Sequence, residues 1–300
     1  MNEPTKCVPV RLNRPDALTG PCGVIVEAVS DLTYNGGPTA QTSRYYMTQT
    51  TLPPGAAPAH NIELQAVSLK RGDQTVFAQL SLRLTEARIG LIGDNGAGKS
   101  SLFRLICGLD QPQTGRVVVH GCDTSNATQR RSLPRHVGLM FQNPDDQIIF
   151  PTVAEELAFS LTAAGVERRT ARQQALAFLA ERGQSAWAER AVGELSQGQR
   201  QQVCLLALQI MQPATLLLDE PFASLDLLSQ MRLSAQIQQS TQQVLLSTHL
   251  LAHVQNFERV IWLDQGQVRG DGPGHEICPA YAQDVQARSL IGNAPEPLRA

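Results

Sequence analysis

Hydrophobic and polar positions change rhythm several times along the chain. From Asn61, short apolar runs bounded by polar or turn residues predict strands at Ile62–Ser68, Thr75–Leu82 and Arg88–Leu91. A helix is predicted from Lys99, followed by strands at Val117–His120 and Val137–Phe141. A helix-rich stretch occupies about 152–211, and strand, helix and strand signals return at Thr215–Asp219, Leu227–Gln239 and Val244–Ser247. The series closes on a hairpin, Val260–Leu263 turning through Asp264, Gln265 and Gly266 into Gln267–Arg269. Strands alternating with helices predict an α/β fold with a mostly parallel sheet covered on both faces. No internal repeat is visible.

Outside this region the rhythm fades. Residues 1–60 mix Pro, Gly and Thr with isolated apolar positions and end in the linker-like run Thr51–Pro58. They are expected to form a disordered extension with a short strand at Gly23–Val29. Met47 is an alternative start, which would leave residues 1–46 outside the native chain. The last thirty residues, 271–300, carry Gly, Pro and Ala and are expected to form a loose tail.

Composition narrows the class. The 300 residues are 42% hydrophobic and 17% charged, ordinary for a globular protein and too apolar for a disordered one. The formal net charge of −2 supplies no global basic field, so tight nonspecific nucleic-acid binding has no electrostatic support. No apolar stretch approaches the roughly 18 residues of a membrane span, so a role in transport would require a membrane partner. The charged-then-apolar order of a secretory signal is absent from the N-terminus. The 6 cysteines are scattered without a CxxC pair, which favours buried thiols in a reducing compartment over a zinc ribbon or disulfide scaffold. Lysine is scarce, with Lys6, Lys70 and Lys99 the only three against twenty-two arginines.

One of those lysines closes the strongest motif. Gly93-Asp94-Asn95-Gly96-Ala97-Gly98-Lys99-Ser100 fits G-x-x-x-x-G-K-[ST] between a predicted strand and a predicted helix. The glycines allow backbone N–H groups to curl round phosphate oxygens, and the helix N-terminus adds partial positive charge. Lys99 would reach the β- and γ-phosphates of a nucleotide, and the Ser100 hydroxyl would bind Mg2+. A chance match in a chain of this length is on the order of one in a hundred. Downstream, the apolar strand Thr215–Leu218 ends in Asp219 and Glu220, an aspartate suited to Mg2+ and a glutamate suited to polarising water. Leu195-Ser196-Gln197-Gly198-Gln199 opens another helix. A capping box between Ser196 and Gln199 explains both polar residues structurally, while the Ser196 hydroxyl and Gly198 amide could equally face a phosphate. Gln142 and His249 each follow a predicted strand.

The order phosphate loop, Gln142, Leu195–Gln199, Leu216–Glu220, Ser224-Leu225-Asp226 and His249 resembles the nucleotide-binding subunit of ATP-binding cassette (ABC) transporters over about residues 61–270. The resemblance implies a P-loop NTPase with a RecA-like core, an antiparallel β-subdomain and a helical subdomain at about 144–200. It implies nucleotide contacts from Gly93, Asp94, Asn95, Gly96, Ala97, Gly98, Lys99, Ser100 and Ser101. Mg2+ would be held through Ser100, Gln142 and Asp219, with Glu220 orienting water and His249 contacting the γ-phosphate. Ser196, Gly198 and Gln199 would act on the ATP of a second cassette, in a head-to-tail dimer that Asp226 helps to join. That second copy is either identical or a paralogue.

Phe141 to Glu156 is similar to the ATPases of energy-coupling-factor importers, which take up vitamins, cobalt and nickel through a separate substrate-binding membrane protein. Asp145 and Asp146 would then lie beside the groove that receives the arginine-bearing coupling helices of a transmembrane subunit. The alternative is a solvated acidic loop, with Thr152 and Glu155 capping the next helix. Within the family the wording tilts towards biotin over cobalt. The resemblance places the chain peripherally on the cytoplasmic face of a bacterial membrane.

Two departures stand out. Where the family stacks an aromatic residue on adenine this chain carries Arg71, whose planar guanidinium could stack instead, or base recognition is weaker. Gln197 replaces the first signature glycine. The pair His249 and His253 has the spacing of a helical zinc site but lacks the glutamate and a third ligand. The competing class is an ABC-type ATPase of DNA repair or the ribosome, disfavoured because no long coiled coil, zinc module, second cassette or basic linker appears.

Overall fold

The computed structural model describes residues 61–223 and 225–292. The expectations for residues 1–60, including the strand at Gly23–Val29 and the alternative start at Met47, lie outside the described residues, as does Ser224.

Two sheets form the frame. Strands β1 (Ile62–Arg71), β2 (Gln74–Leu84), β4 (Thr114–Val119) and β5 (Cys122–Asp123) make an antiparallel sheet in the order β2-β1-β4-β5. The larger sheet runs β10-β9-β3-β8-β7-β6, from β3 (Arg88–Ile92), β6 (Val137–Met140), β7 (Thr215–Asp219), β8 (Gln243–Ser247), β9 (Arg259–Asp264) and β10 (Gln267–Gly272). All its pairings are parallel except the β9–β10 hairpin.

The central strands are apolar throughout because both faces are covered, and alternate residues enter different cores. Leu217, Leu245 and Ile261 face the core shared with the antiparallel sheet and with Leu102, Phe103 and Ile106 of α1 (Lys99–Ile106). Leu216, Leu218, Val244, Leu246, Val260 and Trp262 face the opposite core. There they meet Cys204 and Leu205 of α5 (Gln197–Gln209), and Leu233 and Ile237 of α6 (Leu227–Gln239). A third core joins α5 to α3 (Val153–Ala163) and α4 (Arg168–Glu181) through Leu157, Leu161, Ala175, Leu179, Val203 and Leu206. This is the expected helical subdomain, and short helix α2 (Ala127–Arg130) precedes the strand that leads into it.

The expected loose tail is a correction. Gly274–Gly292 form a helix, α7, despite Pro279 inside it. Cys278 and Tyr281 are buried in the second core, and the Tyr281 ring packs edge-on against Trp262 at 5.3 Å. Tertiary burial of these few apolar residues outweighs the Gly, Pro and Ala composition that suggested a coil.

Candidate active site

Strand register brings the sequence motifs to one edge. Leu91 of β3 and Asp219 of β7 both pair with Ser247 of β8, and Met140 of β6 pairs with Leu218. The loops that follow these four strands therefore leave the sheet together at its carboxyl edge, where α/β sheets hold their ligands. Those loops contain Gly93, Gln142, Glu220 and His249, separated by up to half the chain in sequence.

They line a cavity of about 880 Å³, together with Asp94, Asn95, Gly96, Ala97, Gly98, Lys99, Ser100, Ser101, Asp219 and Arg71. The phosphate loop is tightly seated. Gly93 has φ +144, and a Cβ there would lie 2.1 Å from the Leu263 carbonyl oxygen, so only glycine fits. Ala97 N–H donates to Asp94 O at 3.1 Å inside the loop, and Gly266 N–H of the β9–β10 turn donates to Ala97 O at 3.1 Å. The N-terminus of α1 opens into this cavity with its unsatisfied amides and positive dipole end.

Lys99 is buried, and its Nζ donates to Gly93 O at 2.8 Å and Asp94 O at 3.2 Å. Burial lowers its pKa, opposed by the Glu220, Asp219 and Asp94 carboxylates. Glu220 takes a left-handed backbone, φ +49, its N–H donating to Ser247 O at 3.0 Å. Non-glycine residues rarely adopt this conformation, and such strain collects at functional sites. The Glu220 Oε1 lies 2.8 Å from His249 Nε2 and 3.9 Å from Lys99 Nζ. Burial raises the Glu220 pKa, and the His249 and Lys99 charges oppose that rise.

Asp219 Oδ1 is buried without a hydrogen-bond partner, a costly state unless a ligand or cation completes it. Its neighbours on the cavity wall, Ser100 and Gln142, add neutral oxygens. An aspartate with hydroxyl and amide oxygens is a donor set suited to Mg2+, so the residues fit that ion.

Arg71, at the end of β1, lines the cavity with Gln74, Thr75 and Val76. Its guanidinium is held by Asp110 at 2.6 Å, which also binds Arg104 at 3.0 Å. Ser196, Gly198, Gln199 and Asp226 do not line this cavity. Ser196 and Gln199 make the full capping box at the start of α5, and the Asp226 side chain accepts from Ser229 N–H to cap α6. Asp145 is paired with Arg200 of α5 at 3.2 Å, and Asp146 is exposed. The Thr152 hydroxyl caps α3 by accepting from Glu155 N–H. His253 does not join His249 but stacks on Phe222 at 3.7 Å.

Sequence reasoning missed Arg288 of α7, which also lines the cavity, and Tyr281, whose hydroxyl donates to Asp94 Oδ1 at 2.9 Å. No motif marks either. The recoverable signal was the helical spacing of Ile277, Cys278 and Tyr281.

Comparison with known proteins agrees with this geometry. The sequence model of the family described as "ABC transporter" matches residues 77–223. The biotin transport ATP-binding protein BioM of Rhodobacter capsulatus is 47% identical over 231 residues, covering 77% of this chain and 98% of that protein. The protein of the same name from Rhizobium etli is 34% identical over 223 residues, 74% of this chain and 98% of its own length. Among solved structures, cbiO1 from Clostridium perfringens, part of the ABC transporter complex cbiONQ, superposes with a TM-score of 0.65 at 21% identity, covering 79% of this chain and 96% of the other. A dimeric ATP-binding cassette in a post-hydrolysis state bound to ADP and Pi gives a TM-score of 0.61 at 22% identity over 71% and 98% of the two chains.

Proposed function

Because this chain belongs to the ABC transporter family of ATP-binding proteins, we propose that it is the ATP-hydrolysing subunit of an energy-coupling-factor importer, with biotin as the favoured cargo. The observation that carries this reading is the 47% identity to a biotin transport ATP-binding protein over 98% of that protein's length.

The phosphate-loop amides, the α1 N-terminus and Lys99 would bind the β- and γ-phosphates and stabilise charge on the transferring phosphoryl group. Ser100, Gln142 and Asp219 would hold Mg2+, which would supply positive charge to offset that of the phosphates. Glu220 would orient the attacking water and accept its proton, and His249, 2.8 Å away, would fix the carboxylate and report on the γ-phosphate. Ser196, Gly198, Gln199 and Asp226 lie away from this cavity, which supports their acting on the ATP of a second cassette in a head-to-tail dimer. Differential contacts to ATP and ADP would then close and open that dimer and drive the transmembrane subunit.

Among the described residues no helix is long and apolar enough to cross a membrane, so the reading requires membrane partners: a transmembrane subunit and a separate substrate-binding protein. Their recovery with this chain from native membranes in mild detergent, together with loss of radiolabelled biotin uptake in a deletion strain, is the expected result. Loss of cobalt uptake instead would reassign the cargo, and a purely soluble ATPase would overturn the transport reading.

A further inference from the structure

Asp94 puts a fixed negative charge inside a loop whose proposed task is to hold a polyanion, which by itself opposes binding. The carboxylate lines the same cavity as Lys99 and Ser100. Its compensation comes from a distant part of the chain. Arg288 Nη1 of α7 donates to Asp94 Oδ2 at 2.5 Å and Nη2 to Oδ1 at 3.3 Å, and the Tyr281 hydroxyl donates to Oδ1. Arg288 is itself held, its Nε donating to Asp284 Oδ2 at 2.8 Å. Asp284 is in turn bound by Arg269 at 2.5 Å, and Arg269 pairs with Asp264 and lies over the Trp262 ring at 4.5 Å. Charges thus alternate in sign from the phosphate loop along α7 to the β9–β10 hairpin.

We propose that α7 is a charge neutraliser for the phosphate loop: Arg288, oriented by Asp284 and assisted by Tyr281, cancels the Asp94 carboxylate and so sets the affinity for the nucleotide's phosphates. Arg288 is a positioning residue here, acting through Asp94. The inference rests on the nucleotide-binding reading of the cavity.

Titration calorimetry of the full chain with ATP and ADP, at low and high salt, tests it. Arg288→Gln is expected to weaken ATP binding about tenfold and ADP binding by less, because fewer phosphate charges meet the uncovered carboxylate. The loss is expected to shrink at high salt, since both side chains are partly exposed. Arg288→Lys should recover part of the affinity. The double variant Asp94→Asn with Arg288→Gln also lacks the ion pair, yet should bind ATP at least about threefold more tightly than Arg288→Gln alone. If the double variant is as weak as Arg288→Gln, the pair only anchors the helix and the inference is overturned. An unaltered Arg288→Gln titration overturns it too. Absence of ATP binding by the unsubstituted chain would instead overturn the nucleotide reading, and this inference with it.

Discussion

At residue scale the proposed chemistry turns on Glu220, a strained and partly buried carboxylate between a histidine and a lysine. Glu220→Gln keeps the size and the backbone requirement while removing the proton acceptor. Retained ATP binding with turnover reduced by at least about a hundredfold is expected, the scale of a lost general base, and phosphate release checks it. The pH dependence has a definite sign. Only the ionised carboxylate can accept a proton from water, and burial raises the Glu220 pKa. Activity should therefore fall, as pH drops, at a higher pH than an exposed glutamate would impose. A kcat profile whose acid limb lies within the ordinary carboxylate range would count against Glu220 as the base.

At element scale, β7 and α6 occupy the predicted Thr215–Asp219 and Leu227–Gln239, because an unbroken apolar strand and a capped amphipathic helix are local signals. The motifs that follow strands were legible for the same reason: each needs only its own strand and turn. The Asp94–Arg288 contact and the helical state of 274–292 were not legible, since both depend on which distant surface a short apolar set will meet. Nor did the sequence separate the two readings of Ser196. The structure contains the full capping box, and the box and a phosphate contact are compatible. Two substitutions separate them. Ser196→Ala should cost about 1 kcal/mol of stability, whereas Ser196→Asp retains a good cap and should leave the thermal midpoint nearly unchanged. If Ser196 meets a phosphate in a second cassette, both should lose ATPase activity, aspartate through charge repulsion. Full activity in Ser196→Asp would leave capping as the residue's whole role.

At the scale of the whole molecule, the cavity gathers the phosphate loop, Asp219, Glu220 and His249, while Ser196 and Asp226 cap helices and Gly198 lies in the first turn of α5, none of the three lining it. Such a division predicts self-association linked to nucleotide. Glu220→Gln with ATP should run as a dimer in light scattering and return to monomer when the nucleotide is removed. Gly198→Ala should weaken that dimer, because the added methyl would sit 2.8 Å from Ser229 Oγ and 3.2 Å from Ser229 Cβ, crowding the start of α5 against α6.

The sheet order carries a further consequence for how the protein is made. Among the described residues β3, the strand that launches the phosphate loop, is paired only with β8 and β9, which begin at Gln243 and Arg259. About 150 residues must leave the ribosome before β3 finds its first neighbour, which at roughly 5–20 residues per second is about 8–30 s of waiting. During that interval Ile89, Leu91 and Ile92, all buried in the finished protein, have no sheet partner on the emerging chain. The nascent chain's need for chaperone protection should accordingly peak after residue 92 emerges and subside once residue 264 has.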